Sequence, residues 1–262
     1  MQSYKHLLHA YLYDEVVAGC GGDNVTSLIL KNPHDGGILN PTKGPGGKLV
    51  VGMDNCPSQN KKNHLLRTLC AWLVDKEYFD EVLGLFLVKG HTKNPDDHLF
   101  NYLKQFYRQH NIETFNHLVR VLDQSYDVNA LAVEPSDFHG WNYFLMGKMY
   151  SKFPKVLQYQ LFKGLGEGFV EIQHADGEAV FTSSLMHSQD EDPDLSLSRL
   201  RDLEPCQIEP PGISNIKRCK LFNKLRPFLI PENRDINCPH PGKEILDRIN
   251  KHKNKKNVCM KK

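Results

Sequence analysis

The chain has 262 residues, 40% of them apolar and 24% charged, an ordinary globular balance with room for one large domain or a domain with appendages. No apolar run nears the roughly 20 residues of a membrane span, and no secretory leader opens the chain, so a nuclear or cytoplasmic protein is expected, neither secreted nor membrane-bound. The net charge of +2 hides an asymmetry: residues 212–262 carry 14 Lys/Arg against 4 Asp/Glu, and the remainder carries 19 against 27.

Residues Leu7 to Tyr13 are apolar and aromatic-rich and read as a strand. Gly19 to Gly22 read as a turn, and Asp23 or Asn24 as the cap of a short helix through Val25, Leu28, Ile29 and Leu30. Residues 32–47, rich in Gly, Pro and Asn, read as a loop. Leu49 to Met53 is a second strand. Leu65, Leu66, Leu69, Trp72 and Leu73 then recur at helical spacing. Val82 to Val88 is a third strand, and Leu99, Phe100, Leu103, Phe106 and Tyr107 form one apolar stripe on a helix over residues 96–110. This strand–helix alternation argues for parallel strands with helices packed on their faces.

Beyond residue 110 the pattern is less regular. A helix end is expected over 116–122 and an aromatic helix over 138–150. Short strands are expected over 158–162, 169–172 and 179–182. Residues 189–204 form an acidic connector, and 217–228 and 242–253 two short helices, the first of them basic. The Trp72 and Phe100 stripes read as core rather than as a base-stacking platform.

Asp54 is the most informative residue. It closes the apolar run of the second strand and is followed by the polar turn Asn55-Cys56-Pro57-Ser58-Gln59-Asn60-Lys61. A carboxylate at the C-terminal tip of a buried strand is how α/β folds expose a functional group. The third strand ends in Lys89-Gly90-His91-Thr92-Lys93-Asn94, and Pro95-Asp96-Asp97 opens the next helix. Acids from adjacent strand ends could hold Mg²⁺ or Mn²⁺, since hard cations take carboxylate oxygens and two-metal phosphoryl transfer shares them. Asp54 equally suits a turn and Asp97 a helix cap, and periodicity does not choose between Asp96 and Asp97. Asn55, Gln59 and Asn60 could contact phosphate or orient a metal-bound water; a hydrogen-bonded turn explains them as well. His91 could activate water or bind phosphate, or bond the backbone at a strand end. Cys56 has no His-Asp partner nearby in sequence. Gly19 to Gly22 and Gly44 to Gly47 fit no phosphate loop. The seven cysteines lack C-x-x-C spacing and fit reduced thiols; Cys206, Cys219, Cys238 and Cys259 match no zinc module. The Lys-rich end, Lys251-His252-Lys253-Asn254-Lys255-Lys256, suits phosphate neutralisation, a nuclear address or a solvated terminus.

Met53-Asp54-Asn55-Cys56-Pro57-Ser58-Gln59-Asn60-Lys61, then Trp72-Leu73-Val74, then Gly90-His91-Thr92-Lys93-Asn94 with Asp97-His98-Leu99-Phe100-Asn101, resemble a transposon-derived domain-of-unknown-function family (DUF7869-like), itself similar to RNase H-like DDE transposases and integrases. The resemblance runs from His6 to the Arg226-Pro227-Phe228 segment. It implies an α/β fold, an RNase H-like mixed sheet flanked by helices, with Asp54 and Asp97 as metal-binding and catalytic acids and Mg²⁺ or Mn²⁺ as cofactor. In this reading Asp97 takes the role rather than Asp96. His91 joins the site as a catalytic residue, with Asn55, Gln59 and Asn60 in support. The family's first acid stands on a strand upstream of one resembling Leu7 to Tyr13, which this chain lacks, and Lys62 stands where the family has Asn. The resemblance therefore implies a core over 1–125 without its first strand, an accessory α+β extension over 126–211 and a basic tail over 212–262. The implied function is ancestral Mg²⁺-dependent DNA strand transfer or nicking, inactive in this chain. The alternative is a non-catalytic module holding nucleic acid or protein, with DNA the expected partner.

Overall fold

The computed structural model describes residues 8–35, 39, 47–57, 61, 63–87, 95–148, 150–153, 155–174, 180–186 and 203–246. The chain divides into two compact units, one formed by residues 18–94 and 134–209, the other by 1–17, 95–133 and 210–262.

The first unit carries the larger sheet. Its helix α1, Gly22–Asp35, leads to strand β2, Lys48–Met53. A helical run α2 follows, made of an α-helical turn Asn63–Arg67, a π-helical turn Thr68–Trp72 and a last turn Leu73–Asp75. Strand β3 is Glu81–Phe86, and after helix α5, Trp141–Lys148, come β5, Leu161–Gly166, β6, Phe169–Gln173, and β7, Phe181–Ser184. The sheet order is β2-β3-β5-β6-β7. β2 and β3 are parallel, with Met53 opposite Phe86, and the other pairs are antiparallel. The fold class is thus α/β with a mixed sheet flanked by helices.

The helical spacing read from the sequence sets the core. Leu65, Leu66, Leu69 and Leu73 of α2 are fully buried against Val82, Phe162, Val170 and Ile172 of the sheet and Leu145 of α5. Trp72 packs edge-on to Trp141, ring centroids 5.1 Å apart. The π-turn meets β5 at Gly164, where a Cβ would stand 2.0 Å from the Cys70 carbonyl oxygen; only glycine admits this approach. The Cys70 thiol donates to the Phe162 carbonyl at 3.5 Å, and burial pushes its pKa up to about 12, so it is an inert core thiol. At the end of α2, Asp75 accepts from the Tyr150 hydroxyl at 2.6 Å and from the Gly168 amide, closing the β5–β6 turn.

In the second unit β1, Leu8–Leu12, pairs in parallel with β4, Val128–Ala132, Leu8 opposite Val128. Between them in sequence lie helices α3, Pro95–Arg108, and α4, Phe115–Asp123. Leu103 and Leu122 pack with Val128, Ala130, Leu8, Ala10 and Leu12, the alternate residues of each strand. Thr114 caps α4, its hydroxyl accepting from the His117 amide at 3.1 Å. Helices α6, Asn215–Lys224, and α7, Pro231–Asn237, also belong to this unit. Asn237 donates to the Glu113 carbonyl at 2.6 Å, and the Arg226 guanidinium holds the carbonyls of Arg234 and Cys238.

Several expectations change. Strand–helix alternation pointed to parallel strands, yet β1 joins neither β2 nor β3. Its parallel partner is β4, whose short Val-Asn-Ala-Leu-Ala run was not read as a strand, and β3's second neighbour is the antiparallel β5. The helix expected to be short runs to Asp35, into the segment read as a loop, so Asp23 and Asn24 lie in its first turn. The core reading of Trp72 holds, at 4% exposed, whereas Phe100 is 57% exposed: α3 buries Leu103 and turns Phe100 outward.

Candidate functional site

Asp54 follows the last residue of β2 and is exposed, because Met53, at the strand's end, is the residue that turns into the core. The parallel partner β3 ends beside it, and the Leu87 amide continues the ladder onto the Met53 carbonyl at 2.9 Å. The strand-tip position read for Asp54 is therefore the one it occupies. The turn after it closes on itself, with the Lys61 amide donating to the Cys56 carbonyl at 3.0 Å. Asn55 and Cys56 are half-buried within that turn, and Cys56 is in no disulfide. Asp54, Asn55, Cys56 and Lys61 are thus grouped at the carboxyl edge of the parallel pair.

Lys61 is the residue at this edge that the sequence reading passed over. It is 2% exposed. Its Nζ donates to the Leu157 carbonyl at 3.2 Å and lies 5.1 Å from the ring centre of Phe86, the end residue of β3. Burial lowers its pKa.

Asp97 lies in the other unit, third residue of α3 and exposed. A carboxylate in the first turn of a helix is favoured there by the unpaired backbone amides, so the position serves a helix start as well as it would serve a metal. Gln59, Asn60 and His91 lie outside the described residues. Among the described residues no three His, Cys, Asp or Glu side chains form a metal-holding group.

Two cavities also stand out. In the first unit one of about 430 Å³ is lined by Ser27, Lys31, Trp72, Tyr78, Asp137 and Trp141 among others. Its polar wall is ordered: Lys31 pairs with Asp137 at 2.8 Å, and the Ser27 hydroxyl accepts from the Trp141 indole and the His139 amide, each at 3.0 Å. Both tryptophans of the chain line it, the only hint the sequence offered. In the second unit a groove of about 460 Å³ runs along α6, lined by Lys217, Lys220 and Lys224 and by Ile216, Leu221 and Leu225. Helical spacing of three and seven residues puts these lysines on one side. Lys220 and Lys224 are exposed, whereas Lys217 is paired with Glu15. The cysteines described, Cys20, Cys56, Cys70, Cys206, Cys219 and Cys238, form no disulfide. No helix among the described residues is long and apolar enough to cross a membrane.

No curated protein and no solved structure matches the chain. A family model does: the domain of unknown function DUF7869 matches residues 39–174, which contain β2, α2, β3, α3, α4, β4, α5, β5 and β6. That is more than half of the 262 residues, and it includes both acid-bearing segments, so the chain belongs to the DUF7869 family.

Proposed function

We propose that this chain is a transposase- or integrase-derived protein whose working property is binding of DNA, with Asp54 and Asp97 at the positions of two ancestral Mg²⁺ ligands. The single observation that carries the reading is the lysine side of α6. Lys220 and Lys224 stand exposed on the groove beside Lys217, with apolar residues between them, and a row of cations at helical spacing matches a polyanion backbone. The strand-tip carboxylate of Asp54 supports the ancestry, since an RNase H-like site would draw its acids from such an edge. Two-metal sites share several carboxylates between ions, more than the two acids assigned; nicking is therefore expected to be slow or undetectable.

The test has two arms. Binding of a DNA duplex is measured against salt for the natural chain and for Lys220→Ala with Lys224→Ala. Removing two phosphate contacts should flatten the slope of log K against log salt by about 2. An unchanged slope refutes the lysine side as the interface. Supercoiled DNA with Mg²⁺ or Mn²⁺ tests the second part: robust nicking that Asp54→Asn abolishes would show a competent enzyme instead. The alternative reading, a module that holds another protein, predicts no salt-dependent DNA binding at all.

A further inference from the structure

Arg67 is fully buried, 0% exposed, on the first turn of α2. A guanidinium carries five N–H donors. Among the described residues only Nε is used, donating to the Ser151 carbonyl at 2.8 Å. Nη1 and Nη2 are buried with no hydrogen-bond partner among the described residues. No carboxylate pairs with Arg67 or with Lys61 among the described residues. Burial alone lowers the pKa of both, Arg67 to about 10. Two enclosed cations without a counter-charge are rare, because taking a charge out of water is costly unless an anion or several acceptors replace the lost hydration.

One segment encloses both. Residues 151–153 and 155–157 cross the start of α2 in antiparallel order: the Ser151 carbonyl takes Arg67, the Phe153 amide donates to the Asn63 side chain at 2.7 Å, and the Leu157 carbonyl takes Lys61. Apart from a single 3₁₀ turn over 156–158 the described residues of this segment have no regular structure, and the backbone at Lys155 lies in the left-handed region, φ +46°, which a residue with a side chain adopts at a cost. A neutral carbonyl is a weak acceptor for a guanidinium; an oxyanion makes shorter and roughly twice stronger bonds, and two parallel ones where both Nη groups are open.

We propose that Arg67, with Lys61 beneath the same strap, is the ligand of a small oxyanion of the phosphate or carboxylate class, and that residues 151–153 and 155–157 are the cover of that site. The anion takes the idle Nη1 and Nη2 hydrogens and supplies the charge that the described residues do not. The inference rests on the interior of the first unit and stands whether or not α6 binds DNA.

The test uses the full chain in potassium phosphate, potassium acetate or potassium chloride at equal ionic strength, followed by thermal unfolding. An oxyanion bound only by the folded state should raise the Tm by roughly 5–10 °C over chloride at a hundredfold excess over its dissociation constant. Whichever of phosphate and acetate gives the shift identifies the class. The shift should vanish in Arg67→Gln and shrink in Lys61→Met. A shift no larger than that in chloride overturns the proposal, and so does one that survives in Arg67→Gln, which would place the anion on the Lys-rich surface instead. If Arg67→Gln does not fold, hydrogen exchange on the natural chain decides. The active anion should change exchange at the amides of Ser151, Phe153 and Gln158, whereas indifference of those amides refutes the site.

Discussion

Replacing Gly164 by alanine tests the contact that seats α2 on the sheet. The added Cβ would stand 2.0 Å from the Cys70 carbonyl oxygen, 2.8 Å from its carbonyl carbon and 3.0 Å from Val74 Cγ2. Ordinary contact begins near 3.4 Å, so strand and helix must separate by about 1.4 Å at this point. Two of the three atoms are backbone and cannot swing aside. Overpacking of a core costs about 1–3 kcal/mol and occasionally more when the backbone must move. Here the upper end applies, about 3 kcal/mol, because the displaced element carries the fully buried Leu65, Leu66, Leu69 and Leu73. For a chain of this size that corresponds to a fall in Tm of roughly 6–12 °C. The assay is urea denaturation followed by circular dichroism, with thermal unfolding beside it. Gly52→Ala is the control: it also lies in a strand, but its Cβ would meet nothing within 4 Å, so a change within about 0.5 kcal/mol is expected. A loss below about 1 kcal/mol for Gly164→Ala would refute the close approach, and with it the reason β5 can lie against a π-turn.

Asp75→Asn should cost about 1–3 kcal/mol, because Oδ1, 3.2 Å from the Gly168 nitrogen, would become an NH₂ that faces that amide donor without an acceptor, or else Oδ2 would become one facing the Tyr150 hydroxyl. Burial raises the Asp75 pKa in spite of those bonds. The stability this carboxyl contributes is therefore complete below its unfolded value near 4 and is lost as pH rises through the raised folded one. The urea midpoint of the natural chain minus that of Asp75→Asn should accordingly shrink between pH 4 and 7; a difference that grows contradicts the raised pKa. Removal of residues 243–262, which hold eight Lys/Arg and two acids, should weaken non-specific DNA binding and flatten its salt dependence. Unchanged binding after that truncation would make this end a solvated one, leaving α6 to carry the contact alone.

The elements legible in the sequence are those whose signal is local. The stripe through Leu65, Leu69 and Leu73 fixed α2, and the apolar runs ending at Met53 and near Phe86 fixed β2 and β3 together with their parallel pairing. The partner of β1 was not legible. Val-Asn-Ala-Leu-Ala has neither alternation nor β-branched density, and it becomes β4 because Val128 and Ala130 find Leu103, Leu122 and the even residues of β1, a tertiary gain that overrides propensity. Antiparallel entry of β5 beside β3 depends likewise on Gly164 meeting Cys70, ninety-odd positions apart, and no periodicity reports such a meeting.

The same division separates the two kinds of candidate residue. Asp54 was readable because exposure at a strand tip is a local consequence: Met53 turns inward, the strand stops, and the next side chain faces water. The lysines of α6 were readable in part, since the sequence places basic residues over 217–228 and the helix aligns three of them. Arg67 and Lys61 were not. Their sequence neighbours, Leu65 and Leu66 on one side and the polar turn on the other, suit an exposed cation as well as a buried one. What buries them is a backbone segment 84 to 96 positions further along the chain. A charge enclosed by a distant irregular segment leaves no trace in spacing, yet it is the least affordable thing a core can hold without a partner. A side chain of that kind points to whatever the fold is built to receive, which is why the anion dependence of Arg67, rather than the more conspicuous acid at residue 54, is the sharper question to put to this member of the DUF7869 family.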